Sequence, residues 1–455
     1  MIATYQDYLP VKDNETAKTN FLRSCISAHE SSPAYRAARS GIRYYDGDNE
    51  TISNVIKYYV DKFGNRKRDD SASNFRMRNK MFPYFVNQMV LYLLGNGIQM
   101  DTAEKEKLGD IDKKLIKAAI KAQCGAVSYA FWNLDHVEVF DALEFVPLWD
   151  EDTGALRAGV RYWRLTPEKP LRITLYEDDG YSEYINRNDG AGVVLLVDKQ
   201  PYVKTVVQTA IDTEIRDGRN YDGFPIVPLW ANTNKKTGLS GLRDTIDAVD
   251  LLTNGFANTV KDTRQILFIL RGAMGSSGEE KFREVMSRIE RVGGAAVDDD
   301  QSVDTMSPDI AFEANQAIIN MLEDNLYRDA MALRTSTIQA GSVTATQIRS
   351  AYEPLNQKTD LFETQVRECL DQLMQLAGVS GEYHFERSTV ANAQESMQTL
   401  MLSAQYLPRD YLVSRILSIL GDTDSLDSVL QELDAEEMTR VTDVPDTQED
   451  TEDIE

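Results

Sequence analysis

The residues with the most evident chemical potential lie in RYYDGDNETI, residues 43–52, where Asp46, Asp48 and Glu50 alternate as oxygen ligands do in a calcium loop. A loop of that kind opening at Asp46 needs Gly at its sixth position to bend and Glu at its twelfth to close. Thr51 and Lys57 stand there instead. The stretch therefore reads as a tight turn, in which Gly47 and Asn49 suit backbone of positive φ. Cys25 and His29 share a helix face four residues apart, with no second ligand pair to complete a metal site. The cysteines, Cys25, Cys124 and Cys369, are too scattered for a zinc site or a disulfide framework. GLSG, 238–241, lacks the spacing of a nucleophile elbow, and Ser240 reads as a helix cap. MGSSG, 274–278, has no following lysine, and no glycine-rich phosphate loop ending in Gly-Lys-Ser/Thr occurs. With 73 acidic residues in the chain, carboxylate pairs arise by chance. The reading is no catalytic residue, no metal and no cofactor.

Charge and hydropathy narrow the classes further. The 455 residues carry 49 Lys and Arg against 73 Asp and Glu, for a net charge of −24. The stretch from Asp434 to Glu455 holds ten acids and one arginine, and is expected to be disordered because it offers little apolar surface to bury. A protein that grips nucleic acid shows a basic face. The one dense basic cluster, Lys62, Arg66, Lys67 and Arg68, is followed at once by Asp69 and Asp70 and reads as a solvated loop. The longest apolar stretch, FVNQMVLYLLGNGI, is interrupted by Asn87 and Gln88 and is too short to span a bilayer. MIATYQDYLPVKDNE at the start has no basic segment leading into an apolar run, so no secretory leader is expected. A soluble protein of a reducing compartment follows, with no membrane partner.

The elements read in order. Residues 15–38 read as one helix, 74–95 as a second with Pro83 as a break or kink, and 111–124 as a third. Between 125 and 230, AVSYAFWNL, HVEVF, GVRYWRL, LRITLYE and GVVLLVDK are strand-like and separated by turn residues. Leu239, Leu242, Ile246, Val249, Leu252, Phe256 and Val260 then step by three or four, which predicts a long striped helix reaching Ile266. A compact insertion follows: ILFILRG is strand-like, GEEKFREVMSRIERV a short helix, GGAAVDDD and SVDTM strand or turn. Ile319, Leu322, Leu326, Ala330 and Leu333 align on a second striped helix over about 312–333. A small polar loop, 334–343, precedes a helix that opens on a Thr344–Gln347 capping box, runs to Ala377 and holds Pro354 inside it. A shorter helical region is expected over 390–433. No internal repeat is visible.

This ordered set resembles the portal proteins of tailed bacteriophages, from about residue 40 to 378. YYDGDNETI resembles the family's aromatic-rich segment near the N-terminus, and Asn79, Phe82 and YLLGNGI its helix end. CGAVSYAFWNLD, EFVPLWDED and GVRYWR are similar to its strands, and GFPIVPLWAN to the element before its first stem helix. AGSVTATQIRSAYEPLNQKTDLFE resembles the segment opening its long helix, with Gly341–Ser342 where the family has Ser-Gly. The resemblance implies an α+β, portal-type fold. Its parts would be a mixed wing (1–238), a stem of two helices (239–267 and 311–333) with a small α/β clip (268–310) between them, a tunnel loop (334–343), a long kinked helix (344–378), a helical crown (379–434) and an acidic tail (435–455).

The resemblance also implies a non-enzymatic role. A ring, commonly of twelve subunits, would sit at one vertex of the virion capsid after synthesis in the host cytoplasm. It would pass double-stranded DNA without sequence specificity and meet major capsid and scaffolding proteins, the terminase and a tail adaptor. The tunnel loop would be Arg334, Thr335, Ser336, Thr337, Ile338, Gln339, Ala340, Gly341, Ser342 and Val343. Asp247, Asp250, Asn254 and Asn258, on the polar side of the first stem helix, are candidates to line the channel. An acidic or neutral bore would keep DNA sliding, because phosphates held by cations bind tightly. The competing readings are another oligomeric virion connector or structural protein, and an unrecognised enzyme.

Overall fold

A computed structural model describes residues 3–60, 63–69, 73–187, 192–208, 213–263, 267–271, 302–306, 312–335, 345–388, 397, 400–420 and 428–433. The fold is α+β. It divides into a larger unit, Met1–Val343 with Ile348–Ser388, and a smaller one, Thr344–Gln347 with Thr389–Glu455.

The first expected helix is two: α1, Glu15–Glu30, and α2, Pro33–Tyr45. Pro33 causes the break. It has no N–H to continue α1, and it suits the first turn of a new helix, which the Ser32 hydroxyl caps at the Tyr35 amide (3.0 Å). The expected helix over 74–95 also differs. Only α3, Met81–Leu94, is helical, and residues 73–80 are irregular backbone. Pro83 lies in the first turn of α3, where its missing N–H would have had no helical partner, so it neither breaks nor kinks the helix. The next helix, α4, spans Ile111–Gly125. It crosses α2 backbone against backbone: a Cβ on Gly41 would lie 2.0 Å from the Cys124 carbonyl oxygen, so only glycine fits.

Strands β1 (Val127–Asn133) and β2 (His136–Asp141) form a three-stranded antiparallel sheet with Ile226–Trp230, β1 in the centre. Every residue of β1 before Asn133 is buried, as a strand covered on both faces requires. A five-stranded antiparallel meander follows in chain order: β3 (Phe145–Trp149), β4 (Leu156–Trp163), β5 (Leu171–Glu177), β6 (Gly180–Asn186) and β7 (Val193–Gln200). Leu22 and Ile26 of α1 pack with Val146, Val160, Ile173 and Leu175 of the meander in one core.

The larger core gathers α3, α4 and three later helices. These are α5 (Arg243–Thr263), α6 (Phe312–Asp329) and α7 (Ala345–Ala377). At ~1.5 Å per residue, the 33 residues of α7 extend about 50 Å. The helix runs unbroken through Pro354, and Tyr352, Leu355, Phe362, Val366, Leu370 and Leu373 are buried along it. Between α5 and α6, Leu267–Arg271 pairs antiparallel with Ser302–Met306. The expected short helix and the GGAAVDDD segment fall in 272–301, outside the described residues, as do the Thr344 cap and the acidic tail. In the smaller unit the described helix of length is α8, Arg409–Leu420.

Candidate functional site

The polar row on α5 is the first candidate. Asp250, Asn254 and Asn258 recur every four residues, a rise of about 6 Å along a helix. An extended chain advances about 6.6 Å in two residues. The two repeats match, and the row engages alternate amides of the irregular segment before α3. Asp250 Oδ1 accepts from the Asn79 amide (2.9 Å), Asn254 Oδ1 from Met77 (2.6 Å) and Asn258 Oδ1 from Phe75 (2.7 Å). Asn254 Nδ2 also donates to the Met77 carbonyl (2.7 Å). The segment thus runs antiparallel to α5, and one side-chain carboxylate and two side-chain amides stand in for a neighbouring strand.

One turn earlier, Asp247 meets the 43–52 stretch. Its carboxylate accepts from the Tyr44 hydroxyl (2.6 Å), Asn49 Nδ2 (2.9 Å) and the Thr51 hydroxyl (2.7 Å). Asn49 Nδ2 also reaches Asp250 Oδ2 (2.8 Å), while its Oδ1 caps Glu50–Ser53 at the Thr51 and Ile52 amides. Gly47, at φ +80°, makes the turn that brings Asn49 there. Asp48 and Glu50 both pair with Arg43. Two carboxylates of the opening motif, Asp48 and Glu50, thus brace the turn through Arg43, while Tyr44, Asn49 and Thr51 clamp it onto α5.

This corrects the channel-lining expectation. Asp250, Asn254 and Asn258 are 0%, 5% and 6% exposed, and the Asp247 side chain 14%. A side chain buried within its own subunit does not face a bore. Burial raises the Asp250 carboxyl above its ordinary value, against the hydrogen bonds from Asn79 and Asn49 that lower it. The apolar stripe of α5 divides as a consequence. Leu239 and Leu242, in the turn before α5 where the helix was expected to have begun, and Ile246 and Val249 within it enter the core, whereas Leu252 is 37% exposed. Further along, Phe256 meets Phe312 of α6, with ring centroids 5.3 Å apart.

The second candidate is the base of the 334–343 loop. After α6 the chain turns through Met331, at φ +50°, to Leu333. The Gln88 amide grips Leu333 on both sides: its Oε1 accepts from the Leu333 N–H and its Nε2 donates to the Leu333 carbonyl, each at 2.9 Å. The Tyr84 hydroxyl donates to the same carbonyl (3.2 Å). Lys358 Nζ of α7 donates to the Ala330 carbonyl (2.7 Å), a cation at a helix C-terminus. Burial lowers the Lys358 ammonium to about 8. Arg334 pairs with Asp324 and lies 5.5 Å from the Tyr327 ring centroid. The loop therefore starts from a held point. Arg334 and Thr335 are its described residues; Ser336, Thr337, Ile338, Gln339, Ala340, Gly341, Ser342 and Val343 lie outside them.

Asn49, Gln88 and Lys358 were not singled out as site residues from the sequence. The signal available for Gln88 was its place in an otherwise apolar stretch, where a buried amide must find a partner. Cys25 is buried in the core, and the partly buried His29 places its Nδ1 2.9 Å from the Tyr162 hydroxyl. Among the described residues no cluster of three or more His, Cys, Asp or Glu could hold a metal, and no helix is long and apolar enough to cross a membrane.

Residues 27–440 match the model of the family described as phage portal protein, SPP1 Gp6-like. The portal protein of Bacillus phage SPP1 is 23% identical over 77% of this chain and 70% of its own length. The portal protein of Clostridium phage phiCD119 is 23% identical over 73% of this chain and 76% of its own length. Among solved structures, a chain from the virion of a native gene transfer agent particle covers 84% of this chain and 93% of itself at 11% identity, with a TM-score of 0.44. A chain from the neck of the native particle, computed with C12 symmetry, covers 73% of this chain and 87% of itself at 11% identity, with a TM-score of 0.39. With a family model spanning most of its length and two portal proteins among its relatives, the chain belongs to the phage portal protein family, a structural family and not an enzymatic one.

Proposed function

We propose that this chain assembles into a ring of twelve at one vertex of the virion capsid and forms the channel through which double-stranded DNA enters and leaves. One observation carries the ring beyond family membership. Two long helices that pack on each other leave large apolar side chains in water: Leu251 (42%) and Leu252 (37%) on α5, Ile318 (43%) and Met321 (54%) on α6. At roughly 25 cal/mol per Å² of apolar surface, a second copy covering them gains several kcal/mol.

In this reading α5 and α6 lie within the stem, 239–267 and 311–333. The strand pair Leu267–Arg271 and Ser302–Met306, which begins at the last residue of the first stem segment, otherwise belongs to the clip, 268–310, which docks the terminase and later a tail adaptor. Residues 1–238 and the long helix form the wing, 379–434 the crown, and 334–343 the tunnel loop at the narrowest point of the bore. Major capsid and scaffolding proteins meet the outer surface.

Electron microscopy of the full-length protein and of assembled particles tests the reading. Rings with a central channel, seated at a single vertex, are expected. A chain that stays monomeric in solution and is missing from the vertex overturns it.

A further inference from the structure

Residues 56–80 differ in charge from the rest of the chain. They hold eight lysines and arginines against three aspartates, in a chain of net charge −24. Tyr58–Val60 pairs antiparallel with Arg66–Arg68, placing Tyr58 opposite Arg68 and Val60 opposite Arg66. The Arg66 guanidinium lies 4.1 Å from the Tyr58 ring centroid, and all three residues of its strand are exposed. Large apolar side chains stand out beside these cations: Val60 is 70% exposed, Phe63 79% and Tyr58 45%. Phe75 (42%) and Met77 (44%) face outward from the segment that Asn254 and Asn258 hold on α5.

Two kinds of surface attract cations here, and the apolar residues choose between them. A phosphate backbone is bound through cations and hydrogen-bond donors and gives Val60 and Phe63 no apolar surface to cover. A protein contact of arginine with aromatic and aliphatic side chains buries both, and arginine and aromatics are the residues enriched in such contacts. The strongly acidic protein surface at hand in a ring is another copy of this chain. We propose that the strand pair Tyr58–Val60 and Arg66–Arg68, with Phe63, docks on the acidic surface of a second copy. The inference rests on the ring reading and assigns it one surface. Long-range attraction guides the contact, and it is screened within about 8 Å at physiological salt.

The full-length chain and two variants test this. Native mass spectrometry measures copy number across protein concentration for the wild type and for R66E/K67E/R68E, with far-ultraviolet circular dichroism checking the fold. Reversal is expected to raise the concentration needed for assembly about tenfold or more, the loss typical when charged anchors of a contact are inverted. Phe63→Cys supplies a readout that needs no charge change. The native cysteines Cys25, Cys124 and Cys369 are all buried, so maleimide reacts first at position 63, quickly in the free chain and slowly in the ring. If the wild type never assembles, the ring reading falls and takes this proposal with it. If rings form equally well from the charge variant and position 63 stays reactive within them, the proposal is overturned and the ring stands. If copy number is unchanged while binding to a short DNA duplex is lost, the surface serves nucleic acid and the proposal is likewise overturned.

Discussion

At the scale of single residues, the α5 row shows how polar side chains on a helix deceive. Asp250, Asn254 and Asn258 look like a solvated or channel-facing stripe because their types say nothing about what they bond. Their partner is main chain 170 to 185 residues away, which no local pattern reveals. Asn254→Ala deletes the donor and the acceptor that serve Met77. It is expected to lower the unfolding free energy by about 1–3 kcal/mol, the range for leaving partly buried backbone groups unpaired, measured by urea titration. Lys358 makes a second case. Its ammonium titrates near 8 in the folded chain, against an ordinary value of 10.5. Between those two values the unfolded chain holds a proton that the folded chain lacks, so this residue makes stability rise with pH through that window. Below pH 8 the cost of burying the charge stands in full, a few kcal/mol at about 1.4 kcal/mol per pH unit separating the two values. Lys358→Met keeps the stem and removes the charge. Its advantage over wild type is expected at pH 7 and should shrink toward pH 10. Unfolding curves that stay parallel at both pH values would show that the ammonium is not buried.

At the scale of elements, legibility followed the source of the signal. Strands marked by an aliphatic run or by aromatic residues beside turn residues were readable, as at 193–200 (VVLLVDKQ) and 127–133 (VSYAFWN). The strand Gly180–Asn186 was not, because GYSEYIN buries Tyr184 and Ile185 among polar neighbours and shows no aliphatic run. Helix interiors were readable from period, as in α4 and α7. Helix starts were misread at prolines: Pro33, passed over inside the helix expected over 15–38, begins α2, and Pro83, read as a break or kink, sits in the first turn of α3. The clamp of Gln88 on Leu333 joins positions 245 residues apart and has no local trace beyond a polar break in an apolar stretch. The strand pair Leu267–Arg271 with Ser302–Met306 closes the insertion on itself. Because its ends pair with each other, the insertion can be removed without opening the core beneath. Replacing 268–310 by a short flexible linker is expected to leave the thermal unfolding of the remainder within a few degrees of wild type and to abolish DNA packaging. Packaged particles from that deletion would sink the clip assignment.

At the scale of the whole molecule, the ring proposed above would have to assemble from subunits that each carry −24. Like-charged subunits repel, so contact has to come from burial of apolar surface and from local basic patches, both short in range at physiological salt. The same excess of acid suits a bore through which DNA slides, since cations lining it would hold phosphates and add salt-dependent affinity. What narrows such a bore must then be shape and not charge. The loop 334–343 has one charged side chain, Arg334, and that side chain is already paired with Asp324. Its one large apolar residue is Ile338. Its base is fixed at Leu333 by Gln88 and Tyr84, beside the Lys358 bond to Ala330. A loop held at its root and uncharged toward its tip can meet DNA by contact alone. Ile338→Asp adds a charge that repels phosphate and leaves the sequence of the stem helices unchanged. It is expected to leave copy number and ring dimensions unchanged while lowering the yield of packaged DNA or its retention after packaging. Quantifying encapsidated DNA before and after a holding period reads both. Yield and retention equal to wild type would show that the loop does not narrow the channel.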